Sequence, residues 1–149
     1  MPNILHRLTI DASPERVNEL TASKEGIQQW WTGRAVTGDD NRGGKLSVYF
    51  NDPAKPAASF EVLDRGPHEV AWRCVEGPQE WIDSRVIFAF KPRADGGTTL
   101  LFSHQGWRQE SEFMSGCSSN WAAYLTSLKS GAEGHAFNAY PGGEISRWD

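Results

Sequence analysis

The sequence predicts an α+β fold, with an antiparallel sheet of six or seven strands curved around one long C-terminal helix and two short helices after the first strand. Three features carry this reading. One alternating segment precedes two short helical segments. The middle of the chain alternates apolar and polar residues between Gly- and Pro-rich turns. Near residue 111 the apolar period lengthens from about two to about 3.6 residues. A sheet with one apolar face, covered by one amphipathic helix, is a stable layer arrangement, and a sheet this wide twists around its partner.

The elements follow in order. "NILHRLTIDAS" places Ile4, His6, Leu8 and Ile10 on one face and Leu5, Arg7, Thr9 and Asp11 on the other, a strand with one buried side. In "SPERVNEL", Ser13 suits the N-cap, Pro14 the first turn and Glu15 the positive end of the helix dipole, so a short helix runs to about Thr21. "SKEGIQQWW" forms a second short helix that Gly33 ends. Trp30 and Trp31 are adjacent, so only one is expected to face the core from so short a helix, and the other needs a partner elsewhere.

"GDDNRGG" is a turn-rich link, "KLSVYF" a strand and "NDPAKP" a turn. "ASFEVLDRG" alternates Phe60 and Val62 against Glu61 and Leu63, Gly66 and Pro67 mark a tight turn, and "HEVAWRCVE" is the next strand. "WIDSRVIFAFKP" reads as one long strand with Val86, Phe88 and Phe90 on one face. "RADGG" turns it into "TTLLFSHQGW", where Leu100, Phe102 and His104 share a face. Phe113, Cys117, Trp121, Leu125 and Leu128 then recur at helical spacing with Tyr124 beside them, a helix from about Ser111 to Ser130. Gly116 weakens its first turns, and Gly131 or Gly134 ends it. Residues 1–134 are expected to form one domain. Residues 135–149 form a tail whose Phe137, Tyr140 and Trp148 suit docking.

Composition narrows the function classes. A chain of 149 residues with ordinary hydrophobic content fits one globular core. No run approaches the roughly 20 apolar residues of a spanning helix, and the N-terminus has no signal-like pattern. Cys74 and Cys117 lie far apart in sequence, which speaks against a disulfide scaffold or zinc knuckle and suits the cytoplasm. A net charge of −4 speaks against nucleic acid as a partner. Seven tryptophans are unusual, and that many rings can line a cavity as well as fill a core.

The candidate inner face of the sheet is Phe60, Val62, Trp72, Cys74, Val86, Phe88, Phe90, Leu100, Phe102 and His104, opposite Trp121, Tyr124, Leu125 and Leu128 on the helix. A curved sheet around a helix leaves a gap that is the natural place for a ligand. Its candidate contacts are Trp30, Trp31, Phe60, Trp72, Phe88, Phe102, His104, Trp121, Tyr124, Leu125 and Leu128. His104 is the one polar member, able to orient a ligand oxygen or move a proton, with a hydrogen-bonded structural role as the simpler reading. His6 shares the apolar face of its strand, His68 sits in a turn and His135 in the tail. No pair has metal-ligand spacing, so neither metal nor cofactor is expected. Glu80, Asp83, Arg85 and Arg73 cluster near strand ends, where charges are usually solvated. Nucleophile-elbow, P-loop and dinucleotide fingerprints are absent.

Three stretches carry a family resemblance. "IDASPERVNELTASKEGIQQWWT" resembles an I-x-A-x-P-x-x-V-x-x-x-L-T opening followed by a G-[IL]-x-x-W-W helix. "SRVIFAFKPRADGGTTLLFSHQGW" is similar to a V-x-F-x-[FL]-x-P strand, a Gly turn and a T-x-L-x-[LF]-x-H-x-G-[FW] strand, and "NWAAYLTSLKSGAEG" to a terminal G-W-x-x-x-L-x-x-L-K helix. Together they resemble the START-like (SRPBCC) superfamily and, within it, the homologues of the heat-shock chaperone ATPase activator (Aha-type domains), over nearly the whole chain to about Gly134. Asn120 departs from the pattern, which usually has Gly there, and bears on how the helix begins.

The resemblance implies the helix-grip fold, with one indole of the Trp30–Trp31 pair packed on the sheet and the other closing a cavity. It carries no shared catalytic signature. The expected function is therefore binding of a small hydrophobic or amphipathic molecule between sheet and helix. Two alternatives stand beside it. One is an aromatase/cyclase-like enzyme using His104, with Tyr124 or Arg85, as acid or base. The other is a chaperone-linked interaction module, against which a single Aha-type domain speaks. A homodimer through an exposed strand edge or indole is compatible with each.

Overall fold

The computed structural model describes residues 1–148. Within them, β1 (Ile4–Ile10), β2 (Ala35–Gly38), β3 (Lys45–Tyr49), β4 (Ala58–Arg65), β5 (Glu69–Glu76), β6 (Arg85–Pro92) and β7 (Thr98–Gln105) form one antiparallel sheet in the order β1-β7-β6-β5-β4-β3-β2. Helices α1 (Pro14–Ala22) and α2 (Lys24–Trp30) follow β1, and α3 (Glu112–Ala132) closes the fold. This is the helix-grip architecture that the alternation and the terminal helix predict.

Register brings the large side chains together. Val62 stands opposite Trp72, Trp72 opposite Val86, and Val86 opposite His104, while Phe88 faces Phe102 and Val70. These positions point inward and are buried, as are Trp121, Leu125 and Leu128 of α3. Ser111 caps α3 by accepting from Met114 N (3.1 Å).

One serine joins the two short helices. Ser23 ends α1 and caps α2: its hydroxyl accepts from Gly26 N (2.9 Å) and donates to Glu19 O (2.9 Å). The helices then pack very closely, because a Cβ on Gly26 would lie 2.6 Å from Glu19 O and from Leu20 Cα. The same approach lets Trp30 Nε1 donate to Leu20 O at 2.7 Å. The glycine and the first tryptophan of "GIQQWW" are thus two halves of one helix–helix contact.

The structure corrects several local expectations. Trp30 and Trp31 both face the core, at 0% and 2% exposure. Trp31 is the C-cap of α2, and beyond the end of the helix its ring stacks on Trp30 at 6.1 Å and 16°. Gly33 lies past the cap, where its N–H donates to Tyr140 O (2.9 Å). β2 is an additional edge strand, four residues with a single buried side chain, too short to show alternation. "WID" is not strand: Gln79–Trp81 forms a 3₁₀ turn, and Asp83 takes φ +69° before β6 begins. Helix α3 continues past Gly131, and Gly134, at φ +90°, follows its end.

Gly26→Ala is expected to destabilise the fold by about 1–3 kcal/mol, because the added methyl meets backbone that cannot move aside. Thermal or urea unfolding measures the loss. An unchanged midpoint would show that the two helices separate freely.

Candidate ligand-binding site

The centre of the grip is solid. Trp31 lies between Trp30 and Trp72, stacked on Trp72 at 6.0 Å and 9°, and touches Trp121 at 4.9 Å. Trp72 packs on Phe60 and Phe88 (5.3 and 5.2 Å), Phe88 on Phe102 (5.3 Å), and Phe102 on Trp121 (4.6 Å). Such offset and edge contacts add to the apolar area already buried. No room is left there for a ligand.

The free space lies at one end of the grip, a cavity of about 650 Å³. Trp31, Trp81 and Trp121 border the core side. Cys117, Asn120 and Tyr124 line it from α3, and Phe50, Asn51 and Ala57 from the β3–β4 connection. Tyr140 and the segment Glu144–Trp148 complete the wall. Burial pushes the Cys117 thiol up to about 12. Tyr124 is also raised, first by burial and then by Glu144 and Tyr140. Both line the wall as neutral groups at neutral pH.

His104 is fully buried and has a partner at each ring nitrogen. Trp121 Nε1 can only donate, so Nδ1 (3.1 Å) is the acceptor and the ring proton sits on Nε2. Nε2–H then donates to Ser84 Oγ (2.7 Å), whose hydroxyl donates to Trp81 O (2.5 Å). A second ring proton would face the Trp121 N–H, donor against donor. Burial lowers the His104 pKa from 6.5 to about 3, so the ring stays neutral. This chain of bonds ties β7, the Trp81 turn and α3 together.

Of the sequence candidates, Trp31, Trp121 and Tyr124 line the cavity. Trp30, Phe60, Trp72, Phe88, Phe102, His104, Leu125 and Leu128 are packed core instead. Arg73 pairs with Glu61 and Asp83 in partly exposed bridges, and Glu80 accepts from Ser111 Oγ (2.6 Å). His6 is half-buried, its Nε2 3.4 Å from Ser118 Oγ. Sequence reasoning missed Phe50, Trp81 and Asn120 as lining residues. The aromatic content of the tail was the one signal that pointed to its part in the wall.

Comparison with known proteins agrees with this architecture. The family model of the Activator of Hsp90 ATPase homolog 1-like protein matches residues 11–133. The chain belongs to this family. It is similar to the Aha1 dimer from Colwellia psychrerythraea, solved in solution, at 29% identity and a TM-score of 0.78, covering 89% of this chain and 97% of that one. Two further structures share the fold: CalU16 from Micromonospora echinospora (22% identity, TM-score 0.73, 94% and 68% covered) and the HSP90 activator PFC0360w from Plasmodium falciparum (15%, 0.69, 85% and 92%). No curated protein matches the chain. The Asn120 departure from the Aha-type pattern does not concern the start of the helix, since α3 begins at Glu112 and Asn120 lies in its middle.

Two expectations follow from the histidine. Trp121→Phe leaves Nδ1 without a donor and is expected to cost about 1–3 kcal/mol beyond the lost packing, read against Trp121→Phe in a His104→Phe background. The second concerns pH. Below about 6.5 the unfolded chain takes up a proton at His104 that the folded chain refuses until about 3. This contribution to stability is complete above about 6.5 and falls as pH drops toward 3, by up to about 1.4 kcal/mol per pH unit. Urea midpoints between pH 7 and 4 should show this slope in the wild type and a shallower one in His104→Gln. Parallel profiles would place His104 outside the sealed core.

Proposed function

We propose that the protein binds a small hydrophobic or amphipathic molecule in the cavity at the end of the grip. The supporting observation is the lining: seven aromatic rings, those of Trp31, Phe50, Trp81, Trp121, Tyr124, Tyr140 and Trp148, around about 650 Å³. Pockets for small ligands enclose roughly 300–1,000 Å³ and combine an apolar lining with a few polar groups. Here Asn51, Glu144, Ser146 and Arg147 are polar groups of the lining, which suits an amphipathic molecule with one apolar, ring-like body.

The cyclase-like alternative loses its acid–base group, because both His104 nitrogens are engaged and the ring is not part of the cavity lining. Family membership favours a second reading, a chaperone-linked interaction module, which direct binding to purified Hsp90 would separate from the first. The Colwellia psychrerythraea relative is a dimer, and we infer that this chain also self-associates, through the exposed Leu5 and Leu101 on neighbouring strands; sedimentation equilibrium tests it. Two free, buried cysteines fit the reducing cytoplasm as its compartment.

The binding test is a thermal-shift and tryptophan-fluorescence screen against fatty acids, lipids, flavonoids and aromatic polyketides. A saturable rise in melting temperature is expected for a ligand class that fits. For that ligand, Trp31→Phe is expected to weaken affinity about tenfold or more. Trp30→Phe, which loses the bond to Leu20 O, should lower the melting temperature and leave affinity unchanged. No saturable response across the panel, or equal effects of the two substitutions on affinity, would count against the reading.

A further inference from the structure

The outer wall of the cavity belongs to neither sheet nor helix. It is the segment Glu144–Trp148, which has no regular secondary structure. Its attachment is uneven along its length. Upstream, backbone and packing hold the tail firmly. Tyr140 N donates to Trp31 O (3.0 Å), Gly33 N donates to Tyr140 O (2.9 Å), and Asn138 N donates to Ser127 Oγ (2.7 Å). Phe137 fills a notch on α3 where a Cβ on Gly131 would stand 2.0 Å from its ring.

Gly143 packs on the Asn138 backbone, and Gly142 N donates to Glu144 Oε1 (2.6 Å); beyond them the hold on the rest of the chain narrows to the Asn120 side chain and the Trp148 ring. Asn120 Oδ1 accepts from Ile145 N and Ser146 N, both at 2.9 Å, and Asn120 Nδ2 donates to Ser146 O at 2.8 Å. Gly116 lets the segment lie close, since a Cβ there would come within 2.9 Å of Ser146 Oγ. Trp148 rests edge-on against Trp81 and Phe113, at 5.5 Å from each. Ile145 and Trp148 remain 70% and 47% exposed, so burial does not lock them. Hydrogen bonds that water can replace contribute little net stability, so lifting this segment costs far less than unfolding the domain.

We propose that Glu144–Trp148 is a removable strap over the cavity, clamped by Asn120, hinged at Gly142–Gly143, with Trp148 holding a place that an aromatic or amphipathic ligand takes when the strap lifts. Control of ligand entry rests on the binding reading above, while the opening itself does not. Asn120 is a positioning residue here, acting through the strap.

The two cysteines supply a ligand-free test. Cys117 lines the cavity under the strap, whereas Cys74 lies on β5 outside it. Both thiols are buried and raised to about 12, so neither starts with a chemical advantage. The full-length protein is labelled with N-ethylmaleimide, and peptide mass mapping follows each cysteine separately. Asn120→Ala is expected to speed labelling of Cys117 at least tenfold and leave Cys74 unchanged. Ser146→Pro, which removes one clamped N–H and leaves α3 untouched, is expected to do the same and covers the case in which the helix variant folds poorly. Unchanged Cys117 labelling in both variants overturns the strap. So does a parallel rise at Cys74, because the whole domain then opens. Faster Cys117 labelling alongside an empty ligand screen keeps the strap and removes the binding reading.

Discussion

The structure turns on Trp31. Its N–H closes α2 on Ile27 O (3.0 Å), and its indole is held between Trp30 and Trp72 with Trp121 of α3 against it. Its carbonyl receives Tyr140 N–H, the bond from which the tail is laid down, and its ring borders the cavity. One residue therefore connects short helix, sheet, long helix and tail. A close-packed interior passes displacement on instead of absorbing it. Movement of Trp31 would shift the cavity floor and the tail's anchor together.

Much of this was readable from the sequence, for a reason that also limits it. Alternation reveals a strand when one of its faces buries large side chains, and β1 and β4–β7 do so with Ile10, Phe60, Trp72, Phe88 and Phe102. β2 buries only Val36 and leaves no such trace. The same signal does not mark the cavity. Periodicity detects burial, and the most buried rings are those that leave no space. Phe60, Trp72, Phe88 and Phe102 fill the grip and do not line an opening in it. Apart from the α3 residues, the cavity wall is made largely by residues outside the strands and α-helices. Phe50 follows β3, Trp81 sits in a turn shaped by the left-handed Asp83, and Trp148 is brought in by the tail. Tertiary contacts put these side chains there, and no local pattern encodes such contacts.

Asn120 shows how a tail can be fixed to a helix at all. An α-helix uses its own backbone N–H and C=O groups internally, so it cannot offer an incoming strand the ladder that a sheet edge would. A side-chain amide restores what is missing. It presents one carbonyl and one NH₂ in a plane, the same chemistry as a peptide unit, and can accept from two N–H groups while donating to a carbonyl. Asn120 does all three with Ile145 and Ser146. A serine at the same place would lack the second functional atom, and a longer glutamine would hold the strap farther from the close approach that Gly116 permits.

The chemistry of the interior points the same way. Every strongly perturbed buried group is driven toward its neutral form: His104 downward, and Cys74, Cys117 and Tyr124 upward, each mainly by desolvation. A proton-transfer site normally sets two such groups apart, one favouring the charged form and one the neutral, within reach of a common substrate. Here His104 serves Trp121 and Ser84, and the cavity beside it offers rings, neutral polar groups and a rim of partly solvated charge. These buried groups therefore contribute shape, apolar area and hydrogen bonds in their neutral forms.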